Sequence, residues 1–380
     1  LNDSLPSSFF QRFNTEPILV KAPGRINLLG EHLDYNEGWV LPAAINKEFV
    51  FALAPNQSND FNIVAQDLNE SASFSSDELN KGEGWVSYLM GVIQGILNKG
   101  KDLKGVDCMF TSNLPVGAGL SSSAALCCGF GFALDEIFQI GLTKLDIAHI
   151  AQYSEHEFAG VKCGIMDQYA SLFSRKGHSL LLDCREVSHD LIPFKLEGFQ
   201  ILLVDTNVKH DLASSAYNAR RAACEEGVAL LRKKNDQISA LRDVTPEALI
   251  SAREAFQKDT FLQCQYVVEE MARVKVGAQY LKENNLNGFG QLMYQSHYGL
   301  KDNYHVSCSE LDFLVSIASD VGVIGSRMMG GGFGGCTINL VEESKVKNFM
   351  EIVKKRYSAQ FDTIPPIYAV DTEDGVRVIS

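Results

Sequence analysis

Short apolar runs of strand type and longer stripes of helical period alternate along this chain. Ile18 to Lys21 enters Pro23, Gly24 and a polar cluster from Arg25 to Asn36, the pattern of a strand leading into a functional loop. Phe49 to Ala54 and Phe61 to Ala65 predict two more strands, separated by the turn-rich Pro55 to Asp60. Trp85 to Lys99 has helical periodicity, Val106 to Thr111 predicts a strand, and a helix is expected from about Ser122 to Phe138. Thr143 and Asp146 have capping-box spacing, opening a helix whose apolar face includes Ile147, Ile150, Ala151, Ser154 and Phe158 and which Gly160 should end. Ser179 to Leu182 and Phe199 to Val204 predict strands, the second a near-continuous apolar run of the kind buried on both faces. Tyr217 to about Asn284, rich in Ala, Glu, Lys and Arg, reads as mainly helical, and Cys336 to Leu340 as a strand. No linker, low-complexity tract or repeat interrupts the pattern. The change near residue 178 therefore sets the expected division into 1–178 and 179–380.

Such a mixture of strands and helices over 380 residues predicts two domains more readily than one, and 46% hydrophobic residues suffice for a large core. The balance of 34 Lys plus Arg against 47 Asp plus Glu gives a net charge of -13, which disfavours nucleic acid and anionic membranes and favours a small-molecule ligand. The most apolar stretch, Ala124 to Leu134, meets Asp135 and Glu136 well short of a bilayer span. Leu1 to Glu16 lacks the basic and then apolar pattern of a secretory signal, so a cytoplasmic protein is expected. Nine cysteines without paired CxxC spacing point to reduced, mostly buried thiols.

Chemistry concentrates in four segments. Gly117 to Leu126, Gly-Ala-Gly-Leu-Ser-Ser-Ser-Ala-Ala-Leu, joins a glycine loop to three hydroxyls and a helical run, which is how backbone amides and a helix N-terminus make an anion site. Ser121, Ser122 and Ser123 can cap that helix, bond phosphate oxygens or reach a metal ion. Gly24 to Asn36 packs Arg25, Glu31, His32, Asp34 and two asparagines between the apolar anchors Ile26, Leu28 and Leu29. Carboxylates and amides so placed suit a sugar's vicinal hydroxyls, although each residue alone also fits a solvated loop. Asp167 lies among Ile165, Met166 and Tyr169, where an acid is paired, catalytic or a helix cap, and Arg25 is the candidate cation. Five glycines between Gly330 and Gly335 imply close approach to a ligand or another backbone, or a tight turn.

Two generic nucleotide patterns are rejected on context. Gly95 to Lys101 has P-loop spacing, but Asp102 follows where Ser or Thr is needed, and the stretch ends a helix. Gly330, Gly332 and Gly335 have dinucleotide spacing but precede a strand. No His or Cys cluster has zinc-ligand spacing.

On these motifs the chain resembles the galactokinases of the GHMP small-molecule kinase superfamily: Gly24 to Tyr35 as the sugar signature, Pro115 to Ala125 as the phosphate loop and Gly325 to Gly335 as the glycine-rich segment, with Cys163 to Gln168 and Ser214 to Arg221 between them. The resemblance implies a two-domain fold, an N-terminal domain like ribosomal protein S5 domain 2 and a C-terminal ferredoxin-like α+β domain, with the final strand, Ile367 to Val370, returning to the first. It implies that both domains are α+β with the active site between them, and that a monomer transfers the γ-phosphoryl group of ATP to the anomeric hydroxyl of galactose. Asp167 would be the base and Arg25 its activating partner. Glu31, His32, Asp34, Gly164, Asp167 and Tyr217 would hold the sugar. Gly117, Ala118, Gly119, Leu120, Ser121, Ser122 and Ser123 would wrap the phosphates, Trp85 would lie near the adenine, and Ser123 and Glu155 would hold magnesium. A kinase for N-acetylgalactosamine and a non-catalytic galactose sensor are the competing readings; the complete Ser121 to Ala125 segment weighs against the sensor.

Overall fold

The computed structural model describes residues 4–82, 84–115, 117–208 and 213–379, with the side chains of 213 and 214 also undescribed. Val116 of the phosphate loop and the Ser214 side chain thus lie outside the described residues. Helix α1 (Leu5–Phe13) precedes β1 (Ile18–Asn27), the short β2 (Trp39–Val40) and β3 (Pro42–Pro55); β4 (Asp60–Ala65), β5 (Glu70–Ser75), α2 (Gly84–Asn98) and β6 (Val106–Ser112) follow. These strands form a sheet in the order β1-β3-β6-β4-β5, antiparallel except for the β4–β6 pair. Alternation along β3 serves both faces. Val50, Ala52 and Ala54 pack with Met109 against Leu5 and Phe9 of α1, while Phe51 and Leu53 join the main core. Fully burying Phe51 or Leu53 contributes about 1.5–3 kcal/mol.

Helix α3 (Ser122–Phe138), at its expected bounds, lies across β1 and β3. Gly129 permits this: a Cβ there would lie 2.4 Å from the Phe51 ring and 2.6 Å from Ala22. The capping box forms as expected, with Thr143 and Asp146 bonded reciprocally at the start of α4 (Lys144–Glu157). That helix stops earlier than expected, since Phe158 is the C-cap and Gly160 comes two residues later. Next come α5 (Met166–Phe173), β7 (His178–Asp183), β8 (Ser188–Pro193) and β9 (Phe199–Asp205); β7 joins β2 and β8 in a three-stranded sheet.

The stretch read as helical contains α6 (Ala213–Arg232), α7 (Pro246–Ser251) and α8 (Lys258–Lys282), continued by α9 (Leu286–Asp302) and α10 (Ser309–Asp320). β10 (Gly325–Met328), β11 (Cys336–Glu342), α11 (Val346–Phe361), β12 (Ile367–Val370) and β13 (Arg377–Ile379) complete the chain. A second sheet has the order β10-β11-β9-β12, all antiparallel. β9 is buried on both faces as its apolar run predicts: Leu202 and Val204 meet α10 and α11, and Ile201 and Leu203 join the main core. The expected return of Ile367 to Val370 to the first sheet is corrected, because that strand pairs with β9. It is β13, three residues too short to show a pattern, that pairs with β1. All nine cysteines are free and seven are buried.

Candidate active site

The two glycine-rich segments meet backbone to backbone beside a cavity of about 470 Å³. Gly119 and Gly330 both adopt left-handed conformations, with φ +74° and +81°, and a Cβ on Gly330 would lie 3.3 Å from the Gly119 oxygen. The glycine run therefore serves close approach to a second backbone as well as lining the cavity. Gly117 and Gly119 to Ser123 line it too, so the unpaired N–H groups at the start of α3 open onto it, while Ala118 is buried beneath.

Ser121 holds a left-handed conformation, φ 57°, and makes no cap bond; its hydroxyl donates to Asp167 instead. Asp167 does not cap α5, whose N-cap is Ile165. Its two carboxylate oxygens accept from Arg25 Nε at 2.8 Å and Nη2 at 3.0 Å, a bidentate pair. Arg25 Nη1 donates to the Gly119 carbonyl at 2.6 Å, tying the pair to the phosphate loop. Burial opposes the Arg25 charge, but Asp167, Glu31 and Asp34 together raise its pKa above the usual guanidinium value.

Three further carboxylates border the cavity. Glu31 Oε1 accepts from the Gly330 N–H at 2.8 Å and from Arg327 at 3.0 Å. Arg327 is fully buried and also donates to the carbonyls of Leu28 at 2.9 Å, Met328 at 2.8 Å and Asn27 at 2.5 Å. Glu155 accepts from Ser123 Oγ at 3.0 Å and from Gln168 Nε2 at 2.7 Å, and burial, then Asp167, push its carboxyl up to about 7. Asp34 rests against Gly164, where a Cβ would lie 2.3 Å from its carboxylate, and burial with neighbouring carboxylates raises it to about 7 also. Among the described residues neither Asp34 nor Glu155 has an ion pair, whereas Glu31 and Asp167 do. The oxygens of Ser123 and Glu155, beside the anion-binding loop and without a cation, suit a hard divalent ion.

His32 is buried at φ 64°, with Nδ1 2.8 Å from the Tyr35 hydroxyl and burial lowering it to about 3, so the imidazole is neutral. Tyr217 packs on His32 and Tyr35, with ring centroids 5.2 and 5.4 Å apart. Trp85 is not among the lining residues: its ring packs nearly perpendicular to Phe110, centroids 5.3 Å apart, and its N–H donates to Glu70 at 2.6 Å. Sequence reasoning singled out neither Arg327 nor Phe333, which also lines the cavity; their only signal was membership of the Gly325 to Gly335 segment. The rejected P-loop pattern sits at the end of α2, where Gly95 packs on Ile150 and Lys99 pairs with Asp146.

Known families match three stretches of the chain. The galactokinase galactose-binding signature matches residues 7–55, the GHMP kinases N terminal domain residues 87–175 and the GHMP kinases C terminal domain residues 278–359. A galactokinase of Thermotoga neapolitana is 42% identical over 361 residues, covering 95% of this chain and 99% of the relative. The chain belongs to the galactokinase family. A galactokinase of Roseiflexus is 36% identical over 375 residues, covering 98% and 96%. Among solved structures, Lactococcus lactis galactokinase complexed with galactose superposes with a TM-score of 0.95 at 30% identity, covering 99% of each chain. Methanococcus jannaschii mevalonate kinase, with a TM-score of 0.65 at 21% identity over 94% of this chain and 99% of that one, shares the two-domain GHMP fold. Family membership makes the reaction class ATP-dependent phosphorylation of a sugar.

Proposed function

We propose that this chain transfers the γ-phosphoryl group of ATP to the anomeric hydroxyl of α-D-galactose, giving α-D-galactose 1-phosphate and ADP, the first phosphorylation of galactose catabolism. The observation that carries the reading is Asp167, gripped by Arg25 and Ser121 where the phosphate loop meets the polar wall of Glu31, His32 and Asp34. Residues 1–178 supply the sugar motif and phosphate loop, and 179–380 close the cavity with Tyr217 and the second glycine segment.

Phosphoryl transfer asks a protein for positioning and charge stabilisation more than for covalent chemistry. Glu31, His32, Asp34, Gly164 and Tyr217 hold the sugar with its C1 hydroxyl at Asp167. As the new oxygen–phosphorus bond forms and the bond to the ADP oxygen breaks, the hydroxyl proton passes to the Asp167 carboxylate and the bond electrons leave with ADP. Arg25 orients Asp167 and offsets negative charge on the transferring group. Gly117 to Ser123 bind the phosphates through backbone N–H groups, with Trp85 flanking the adenine. Ser123 and Glu155 would hold magnesium, which when bound neutralises charge on the phosphate oxygens. Among the described residues no group of three or more His, Cys, Asp or Glu could hold a metal ion.

The nine free thiols suit a reducing cytoplasm, and the chain is assigned as a monomer. Among the described residues no helix is long and apolar enough to cross a membrane. The test is ADP release with magnesium-ATP against galactose, N-acetylgalactosamine, arabinose, glucose and mevalonate, with the phosphorylated position read by NMR. Turnover on galactose at the anomeric oxygen is expected. Binding of galactose and ATP without turnover would make the chain a sensor, and preference for N-acetylgalactosamine would keep the mechanism but replace the substrate.

A further inference from the structure

A line of hydrogen-bonding groups runs from α6 into the sugar wall. Cys224 Sγ lies 3.3 Å from the Tyr304 hydroxyl, which is 2.7 Å from the Tyr35 hydroxyl, which is 2.8 Å from His32 Nδ1. Cys224, Tyr304 and His32 are all at most 3% exposed. At the far side of the imidazole, Nε2 is buried and makes no close hydrogen bond among the described residues; the Gly331 backbone, which favours a proton on the ring, lines the cavity beside His32. We propose that Cys224, Tyr304 and Tyr35 form a one-way hydrogen-bond chain that fixes His32 as its Nε2–H tautomer, so that this ring meets the sugar as a donor.

Each hydroxyl carries one proton, so the chain has two possible polarities. In one, the thiol donates to Tyr304, Tyr304 to Tyr35, and Tyr35 to His32 Nδ1. In the other every bond reverses, and Tyr304 donates to sulfur. The first matches donors with acceptors: a phenol donates well, an imidazole nitrogen without a proton is the strongest acceptor present, and sulfur is a weak acceptor. Burial also holds Cys224 as a thiol, with its pKa up to about 11, so the donor at the head of the chain is retained. A neutral histidine takes the tautomer set by the bond its other nitrogen makes, and a Nδ1 that accepts leaves the proton on Nε2. Ring packing fixes the direction in which Nε2 points, with the Tyr304 and Tyr217 centroids 4.8 and 5.2 Å from that of His32. Tyr304 and Tyr35 are thus positioning residues, acting on the sugar only through His32. This inference rests on the assignment of His32 to the sugar site.

The test uses the full chain with 15N-labelled histidine, His32 being assigned by comparison with His32→Gln. A protonated Nε2 and a bare Nδ1 are expected in the parent. Tyr304→Phe keeps the ring but leaves Tyr35 free to donate or accept, so the His32 signals should move towards a mixture of tautomers. In the same variant KM for galactose should rise roughly five-fold, with kcat and KM for ATP changed less than about two-fold. If Tyr304→Phe does not fold, Cys224→Ser, which keeps a donor, is compared with Cys224→Ala, and only the alanine variant should shift the tautomer. A parent His32 protonated at Nδ1, or a tautomer unmoved by loss of the chain, overturns the proposal. The spectrum requires no turnover, so failure of the galactose assignment would be seen separately.

Discussion

Replacing Arg327 by methionine tests whether the two halves of the site are held by one buried cation. Arg327 comes from β10 and its partners come mostly from the first motif: the carbonyls of Asn27 and Leu28 and the carboxylate of Glu31. Neither Arg327 nor Glu31 is more than 2% exposed, so water cannot take over the lost bonds. Removing one partner of such a pair costs about 3–5 kcal/mol, mainly by leaving the other charge buried. Each carbonyl stripped of its donor adds about 1–3 kcal/mol. The sum is comparable with the roughly 5–15 kcal/mol that keeps a domain folded, so Arg327→Met should lower the urea midpoint sharply or prevent folding. Discrimination lies in the second variant. Glu31→Gln keeps an acceptor for the Gly330 N–H but removes the charge, so Arg327→Met combined with Glu31→Gln should recover about 2–3 kcal/mol relative to Arg327→Met alone. Unfolding followed by circular dichroism and by the fluorescence of Trp39 and Trp85 gives both the cycle and a check that one transition is being measured. Simple additivity of the two single losses would refute the idea that a stranded charge is what the arginine prevents.

Other expectations follow from the same geometry. Asp167→Asn should lower kcat by about 10²–10⁴ while calorimetry still detects galactose, and near-normal turnover would remove Asp167 from the chemistry. Gly164→Ala places a Cβ against the Asp34 carboxylate and should raise KM for galactose by roughly 10–100-fold with KM for ATP unchanged; equal effects on both substrates would deny the contact a role in sugar binding. Asp34 and Glu155, raised to about 7, hold protons in the folded state that the unfolded chain releases near pH 4, so stability should fall as pH rises from about 4 to 7. Glu155→Gln should flatten part of that fall in thermal scans of the ligand-free protein, and an unchanged slope would count against the raised carboxyl.

How much of this was legible in the sequence depends on the range over which each signal acts. β9 and the Thr143 capping box are local patterns, and both form where the residues predict them. α1 was missed although Leu5, Phe9 and Phe13 are spaced for one helical face, because that face becomes informative only against Val50, Ala52 and Met109. The polar motifs announced their chemistry but not their partners. Ser121 reads as a helix cap until Asp167 arrives from 46 residues away, and the bond is made by a serine in a left-handed conformation that no local propensity favours. The five glycines after β10 advertised close approach, yet the backbone they approach, Gly119, belongs to another motif. Arg327 is the extreme case. A lone arginine before a glycine run reads as a surface charge, and only the fold, which sets it 296 residues from Glu31, makes it the cation without which that carboxylate could not be buried.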